Sequence, residues 1–253
     1  MRILYQFPLS HFCEKARWLL DHKELEYVAQ NLIPGLHRAF TQLKTGQNHL
    51  PILKDQDTWV ADSTRIALYL DDHYPEHRLL SQQQKLRDQA IEIDVQAVEL
   101  GEYVRRWGLA HVMQTEESLD ILIGEKGYLR RFEKYSKPLL KSLISKSYRL
   151  DNEHVMTAKQ RMDEIIQVLN QTLIDNGGRY LVGEYLGLAD ISVCSMLAPI
   201  LELQGTPWEK EQVDVLPEEF KAYRDALAAL PLGQYVKRIY QTERHARVDW
   251  RGV

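Results

Sequence analysis

The chain opens with Arg2-Ile-Leu-Tyr-Gln-Phe-Pro-Leu-Ser-His-Phe-Cys-Glu-Lys-Ala-Arg-Trp-Leu-Leu20, a short apolar run that breaks at a proline and resumes at helical spacing. Residues 3 to 7 are mostly β-formers, and Pro8 stops the strand because it has no N–H for the ladder. Apolar residues from Phe12 onward predict a helix, which places Ser10 and Cys13 at its N-terminus. Unpaired N–H groups and the helix dipole stabilise an anion there, a thiolate included. The joint between strand and helix is therefore a candidate site.

Composition describes an ordinary globular chain and excludes several classes of function. The 253 residues are 44% hydrophobic and 27% charged, with a formal net charge of -4, which suits one large core or two modest ones. Lysine and arginine are scattered among acidic residues, so we expect no nucleic-acid partner. No apolar run nears the roughly 20 residues of a membrane span, and no signal-like core is present. We therefore expect a cytoplasmic protein without a membrane partner. The two cysteines, Cys13 and Cys194, are too few for a disulfide framework.

The first 80 residues mix short strands with helices in the order βαβ followed by ββα. The predicted elements after the opening unit are a strand parallel to the first (Glu26–Leu32), a turn (Pro34-Gly35), a short helix (His37–Leu43), a hairpin (His49–Lys54 with Thr58–Ala61) and a helix opened by Asp62-Ser63 and closed by Pro75. This order predicts an α/β domain over residues 1–78.

From Gln82 the pattern changes to amphipathic helices, which predicts an all-helical domain over residues 82–253. The periodicity weakens between Thr115 and Tyr148, where glycine and proline interrupt it. It recovers after Asp151 in a helix that ends at Asn176-Gly-Gly178. The later predicted helices are a buried one with Asp190 near its start, one over Glu218–Leu230 and one from Pro231 to about Gln241.

Four segments, in this order and at these separations, carry a family resemblance: Pro8-Leu-Ser-His-Phe-Cys-Glu-Lys-Ala-Arg-Trp18, His49-Leu-Pro51, Asp62-Ser63, and Tyr180-Leu-Val-Gly183 with Leu188-Ala-Asp190. Nearly the whole chain resembles the cytosolic glutathione transferases. The resemblance implies a thioredoxin-like N-terminal domain, a homodimer, glutathione as co-substrate without another cofactor, and a small hydrophobic electrophile. The nine histidines are dispersed, without acidic or cysteine neighbours at ligand spacing, so we expect no metal site.

Ser10 is the predicted catalytic residue of a serine-type enzyme. A free thiol has a pKa near ~8.5, and lowering it by ~2 units makes the thiolate dominant at neutral pH. A hydroxyl donor together with a helix N-terminus supplies interactions of that order. In this interpretation the sulfur of glutathione attacks the electrophile and Ser10 stabilises its anion. The alternative is that Ser10 only caps the helix, as serine often does.

Two neighbours compete for contact with the thiol, and two other functions stay open. Tyr5 lies near where some classes of the family place a catalytic tyrosine, although its strand position suits packing. Cys13 matches the second cysteine of a glutaredoxin-like Cys-Pro-Tyr-Cys motif, but Ser10 replaces the attacking cysteine, and a dithiol cycle needs both sulfurs. A Cys13-dependent glutathione reductase or peroxidase is therefore one alternative function. A non-catalytic glutathione-binding or stress-response protein is the other.

The resemblance implies glutathione contacts at Leu50, Pro51, Asp62, Ser63, His37 and Gln47. A cis Pro51 would turn the Leu50 backbone toward the cysteinyl residue, as an added strand. Asp62 would face the γ-glutamyl ammonium, while Ser63 and its helix N-terminus take the carboxylate. The alternative for Asp62 is ordinary helix capping. His37 and Gln47 match positions that contact the glycine carboxylate or nearby backbone in some classes.

The second-substrate pocket is predicted from aromatic and apolar residues on two segments: Phe7, Leu9 and Phe12 on the turn, and Tyr103, Trp107, His111 and Met113 on the first long helix. Aromatics at such spacing also occur in plain helix cores. Asp190 is predicted to cap a helix of the second domain. Gly187 stands where the family usually has Ser or Thr, so we expect half of that cap to be missing.

Overall fold

The computed structural model describes residues 1–33, 37–114, 145–209 and 216–253. Its strands are β1 (Arg2–Gln6), β2 (Val28–Asn31), β3 (Ile52–Asp55) and β4 (Thr58–Ala61). Its principal helices are α1 (His11–His22), α2 (His37–Thr45), α3 (Ser63–His73), α4 (Gln84–Val112), α5 (Asn152–Asp175), α6 (Leu188–Leu201), α7 (Glu218–Ala229) and α8 (Pro231–Glu243). The turn predicted at Pro34-Gly35 and most of the Thr115–Tyr148 interval lie outside the described residues.

The four strands form one mixed sheet in the order β2-β1-β3-β4. β1 pairs with β2 in parallel, as the crossover rule predicts, and with β3 antiparallel. Leu4 sits at the centre of this pairing, opposite Ala29 on one side and Leu53 on the other. All three are buried in the main core. The predicted fold class, a small α/β domain followed by a helical domain, is confirmed.

The two halves share one hydrophobic core, which fixes the opening turn against the helical domain. α6 is buried along almost its whole length and packs on both α1 and α4. Gly101 marks the closest approach on α4, because a Cβ there would lie 2.3 Å from Met196 Sδ and 3.0 Å from Phe12 Cζ. A larger residue at 101 would push α4 away from the first turn of α1. Within the described ranges, none of the helices is long and apolar enough to cross a membrane.

Asp190 joins three elements of the helical domain. Its Oδ1 accepts from the Leu181 N–H (2.7 Å) and the Tyr235 hydroxyl (2.5 Å), and its Oδ2 accepts from the Gly187 N–H (2.9 Å). Burial raises the pKa of Asp190 to about 6. Gly187 lacks a side chain for a physical reason, since a Cβ there would lie 2.8 Å from the Leu79 carbonyl oxygen. The Leu79 carbonyl, in the linker between the two halves, therefore occupies the space that a capping side chain at position 187 would need.

Candidate functional site

The turn between β1 and α1 holds Ser10 at the helix N-terminus. The Ser10 N–H donates to the Phe7 carbonyl (3.1 Å), which closes the turn over Pro8 and Leu9. The Ser10 Oγ accepts from the Cys13 N–H (3.4 Å) and so caps α1. A serine hydroxyl that accepts one bond still has its own proton to donate. Ser10 can therefore cap the helix and donate to an anion at the same time.

Cys13 lies below the turn with its sulfur facing the protein interior. It is fully buried, and its Sγ accepts from the Phe7 N–H (3.4 Å). Burial raises the pKa of the Cys13 thiol, and the Arg17 charge offsets only part of that rise. Since the thiolate is the reactive form, these surroundings disfavour chemistry at Cys13.

His11 follows Ser10 and ties the turn to the second domain. Its Nε2 lies 3.0 Å from the Gly101 carbonyl oxygen, which can only accept, so Nε2 carries a proton. Burial and the nearby Arg105 charge lower the pKa of His11 to about 3. The ring is therefore neutral at physiological pH, and it fixes the first turn of α1 against α4.

The residues expected to bind the peptide part of glutathione form a continuous unit. The Leu50–Pro51 peptide bond is cis, as the resemblance implies, and the Pro51 carbonyl accepts from the Asp62 N–H (3.2 Å). Among the described residues, neither backbone group of Leu50 has a hydrogen-bond partner. Leu50 also belongs to the same buried apolar cluster as Cys13, so this backbone edge lies near the start of α1.

The N-terminus of α3 is formed by Asp62 and Ser63. Asp62 has a φ of 79° and a ψ of 134°, a conformation that L side chains seldom adopt, and its Oδ1 accepts from the Thr64 and Arg65 N–H groups (2.9 and 3.1 Å). Ser63 is only 1% exposed, and its hydroxyl has no partner in the part of the chain that the structure describes. A buried hydroxyl without a partner at a helix N-terminus suits an anion that binds there.

His37, at the start of α2, contacts the turn, and Gln47 follows the end of the same helix. His37 begins α2, and its ring meets Phe7 edge-on with 4.7 Å between ring centroids. Burial lowers the pKa of His37, so the neutral ring is favoured. The Gln47 Oε1 is buried, without a hydrogen-bond partner among the described residues. Tyr5 packs its ring between Phe40 and Trp59 (centroid distances 4.9 and 5.6 Å), which is a packing role.

The structure does not assemble the apolar pocket as the sequence suggests. Phe7 and Leu9 lie in the turn, and Phe12 lies in the first turn of α1. Phe7 packs against the smaller apolar cluster that contains Cys13, whereas Phe12 belongs to the main core. Trp107 and His111, in contrast, pack on Phe220 of α7, with 5.1 and 6.2 Å between ring centroids. Met113 is buried near Ser145, and the Tyr103 hydroxyl donates to Glu99 on its own helix.

Arg105 is the α4 side chain that faces the turn instead. Its guanidinium carbon lies 5.4 Å from the Phe12 ring centroid and 4.8 Å from the Tyr148 ring centroid. An α-helix turns about 100° per residue, so residue 107 lies some 200° around the helix from residue 105. The pocket was predicted from the aromatic residues of α4. Arg105 could have been found from its position four residues after Gly101, which puts both residues on the same face of the helix.

Comparisons with known proteins agree with this fold. Residues 4–78 match the family model "Glutathione S-transferase, N-terminal domain", and residues 128–237 match "Glutathione S-transferase, C-terminal domain". The chain is 26% identical over 223 residues to glutathione S-transferase 1 of Dianthus caryophyllus, covering 87% of this chain and 86% of the relative.

Solved structures of the same fold cover nearly the whole chain. A glutathione S-transferase from Methylobacillus flagellatus, crystallised with glutathione bound, has a TM-score of 0.65 at 15% identity and covers 99% of this chain and 97% of its own. The β-etherase LigF from Sphingobium has a TM-score of 0.57 at 21% identity and covers 94% and 98%. No group of three or more His, Cys, Asp or Glu side chains placed to hold a metal occurs among the described residues. With both domain models matched in order on this fold, the chain belongs to the cytosolic glutathione S-transferase superfamily.

Proposed function

We propose that the protein is a serine-type glutathione transferase that ionises the thiol of glutathione and directs it at a small hydrophobic electrophile. The observation that carries the proposal is the Ser10 hydroxyl, which caps α1 as an acceptor and keeps its proton for a second bond. The unpaired backbone of Leu50 lies near this donor, because Leu50 belongs to the same buried apolar cluster as Cys13. The sulfur of a tripeptide paired with Leu50 would lie at this helix N-terminus.

The γ-glutamyl end of glutathione fits the N-terminus of α3. Its carboxylate would accept from the unpartnered Ser63 hydroxyl and the first N–H groups of the helix. Both capping bonds of Asp62 go to Oδ1, which leaves Oδ2 for the ammonium group. Asp62 therefore combines the capping role and the binding role that the sequence left as alternatives.

The cysteinyl and glycyl parts fit the residues between these two helix N-termini. The Leu50 N–H and C=O would pair with the cysteinyl backbone as an added strand. His37 and Gln47, on the α2 side of the turn, would contact the glycine end, where the Gln47 Oε1 needs a donor. The sulfur would then face Ser10, the dipole of α1 and the apolar side chains of Phe7 and Leu9.

The second substrate would enter between the turn and α4. Phe7, Leu9 and Phe12 would each offer apolar surface to it, and Arg105 lies over the Phe12 ring from the facing helix. The β-etherase among the structural relatives is named for a different reaction from the transferases, so the fold alone does not define the electrophile. We also propose that residues 1–78 and 82–253 act as the glutathione-binding and electrophile-binding domains of a cytoplasmic homodimer.

The ultraviolet absorbance of the bound glutathione thiolate, titrated against pH, tests the proposal. The wild type should show thiolate at neutral pH, and Ser10→Ala should raise the pKa of the bound thiol by about 1–2 units, which is the contribution of one charge-assisted hydrogen bond. Cys13→Ala, in the first turn of α1, is the matched control and should leave the pKa of the bound thiol unchanged.

Each alternative function predicts a different result in this titration. A thiolate that survives Ser10→Ala and disappears in Cys13→Ala would assign the chemistry to Cys13 and overturn the proposal. Glutathione binding without thiolate in the wild type would identify a non-catalytic binder. A panel of apolar electrophiles and peroxides assayed with glutathione then defines the reaction.

A further inference from the structure

The segment that follows α8 runs back along the N-terminal domain. The Val253 N–H donates to the Ala29 carbonyl and the Asn31 N–H donates to the Val253 carbonyl, both at 2.8 Å. The Asn31 Nδ2 also donates to the Arg251 carbonyl at 2.6 Å. These bonds attach the segment 244–253 to the outer side of β2, the strand next to β1.

This segment also reaches β1 just before the catalytic turn. The Gln6 Nε2 donates to the Trp250 carbonyl (3.0 Å) and to Asn31 Oδ1 (3.1 Å). Gly252 has a φ of +62°, and a Cβ there would lie 2.6 Å from the Ala29 carbonyl oxygen and 2.8 Å from Gln6 Nε2. The fit is therefore close, and Gln6 is the last residue of β1 before Phe7 and Pro8.

Arg244, the first residue of the segment, brings a second guanidinium, in addition to that of Arg17, against α1. It is nearly buried, and its Nε donates to Glu14 Oε1 (2.8 Å) while its Nη1 donates to Asp21 Oδ2 (2.7 Å). Burial alone raises the pKa of Glu14, but the Arg244 and Arg17 guanidiniums outweigh it and lower that pKa to about 2. Glu14 thus stays ionised between two arginines.

Arg17 carries the connection from Glu14 to the turn. Its side chain is fully buried, with Nε donating to Glu14 Oε2 (2.9 Å) and Nη2 donating to the Pro8 carbonyl (3.3 Å). Its Nη1 donates to Gln6 Oε1. A continuous set of hydrogen bonds therefore runs from Arg244 through Glu14 and Arg17 to the backbone of the turn that holds Ser10.

The charged side chains in this set of hydrogen bonds also affect the electrostatic field at the site. Burial raises the pKa of the Cys13 thiol, the Arg17 charge lowers it, and the Glu14 charge raises it by a smaller amount than Arg17 lowers it. The field of this pair at the first turn of α1, where Ser10 is the cap, is therefore net positive. An anion held at Ser10 is subject to that field as well. Without Arg244, the Glu14 carboxylate would be left with Arg17 as its cationic partner. Glu14 would then attract the Arg17 guanidinium more strongly and draw it away from the Pro8 carbonyl.

We propose that Arg244 is a positioning residue for the transferase reaction: acting through Glu14 and Arg17, it fixes the Phe7–Ser10 turn and the positive field that together stabilise the glutathione thiolate. This inference rests on the proposed function. It assigns to the segment 244–253 a role in activating the thiol.

The test is the pH dependence of bound glutathione thiolate and of kcat/KM in Arg244→Met. We expect the apparent pKa of the bound thiol to rise by about one unit, which lowers the ratio of thiolate to thiol roughly tenfold at any given pH and is the effect of weakening one hydrogen bond. The plateau of kcat/KM at high pH should be retained, and KM for glutathione should change little. Arg244→Lys should restore part of the shift, since lysine keeps the charge without the fork geometry.

Arg247→Met is the matched control, because Arg247 lies in the same segment and pairs with the exposed Glu26 carboxylate (2.8 Å). It should leave the thiol pKa unchanged. If Arg244→Met does not fold, Arg244→Met combined with Asp21→Asn removes the carboxylate that would be left unpaired, and the same shift is expected. A folded Arg244 variant with an unshifted thiol pKa overturns this inference alone. A wild type without thiolate overturns the proposed function and this inference together.

Discussion

A buried ion pair at the junction of the two domains gives the sharpest stability prediction. Lys15 on α1 and Asp94 on α4 are both 0% exposed, and the Lys15 Nζ lies 2.5 Å from Asp94 Oδ1. The Thr64 hydroxyl of α3 donates to Asp94 Oδ2 (2.6 Å), and the Ser192 hydroxyl of α6 donates to Oδ1. One carboxylate therefore satisfies donors from three other helices, and Asp94→Ala would leave a buried ammonium without its counter-ion.

The expected loss for Asp94→Ala is about 3–5 kcal/mol of unfolding free energy, the usual cost of removing one partner of a buried pair. For a chain of this size, each kcal/mol lowers Tm by roughly 2–4 °C, so the total is about 6–20 °C. Lys15→Met combined with Asp94→Leu removes both charges. That double variant should recover most of the loss, apart from about 1–3 kcal/mol for the hydroxyls of Thr64 and Ser192 that lose their acceptor.

Urea unfolding monitored by tryptophan fluorescence measures these differences, with Glu92→Ala as the matched control. Glu92 is an exposed carboxylate on the same helix, and its replacement should change stability by no more than about 0.5 kcal/mol. The reasoning is refuted if Asp94→Ala costs less than about 1 kcal/mol beyond Glu92→Ala, or if the double variant is less stable than Asp94→Ala.

Three further predictions concern the packing, the acid stability and the ligand site. Gly101→Ala should destabilise by about 1–3 kcal/mol through overpacking against Met196, whereas Gly108→Ala on the same helix meets open space and should stabilise by up to about 1 kcal/mol in thermal unfolding. The pKa of Glu14 is lowered from 4.5 to about 2, so its ionised carboxylate stabilises the fold above pH 4.5, and this stabilisation is lost as the pH falls. Between pH 4.5 and 3, the free energy of unfolding of Glu14→Gln, measured in urea titrations, should therefore fall by about 2 kcal/mol less than that of the wild type. Ser63→Ala should raise KM for glutathione by about 10–100-fold in steady-state assays with kcat nearly kept, and an unchanged KM would remove Ser63 from the binding site.

Local physical chemistry was enough to predict most of the fold. Pro8 cannot extend a strand, and the apolar spacing after it is helical, so the strand, turn and helix follow from single residues and short periods. The observed bounds of β2 differ from the predicted ones by one or two residues, and α1 begins one residue before the predicted start. The fold that positions Ser10 could thus be predicted from the sequence.

Contacts between distant parts of the chain could not be predicted in this way. Val253 pairs with Ala29 across more than 200 residues, and the segment 244–253 has no apolar periodicity that would mark it as the neighbour of a strand. Arg244 likewise has the composition of an exposed cation. Only the folded chain shows that two carboxylates of α1 surround it.

The aromatic residues of α4 show where composition alone misleads. Trp107 is a large apolar side chain in the segment nearest the site, and that is why it was expected to line the pocket. Large aromatic side chains contribute most to a core, and Trp107 is 1% exposed against Phe220 and Tyr223. Helical phase, measured from the glycine at the helix contact, is the better guide to which α4 residues can reach the turn.

Two features of this region disfavour dithiol exchange. Ser10 stands where a glutaredoxin-like site would have its attacking cysteine, and Cys13 is buried. In a dithiol site the second sulfur must reach the first to resolve a mixed disulfide. Here the second sulfur accepts a bond from the Phe7 N–H and has a raised pKa, so it is held as an inert thiol beneath the turn. The position above it carries a hydroxyl that can donate a proton but cannot form a disulfide. Under the proposed function, the helix N-terminus that would stabilise a protein thiolate instead stabilises the thiolate of bound glutathione.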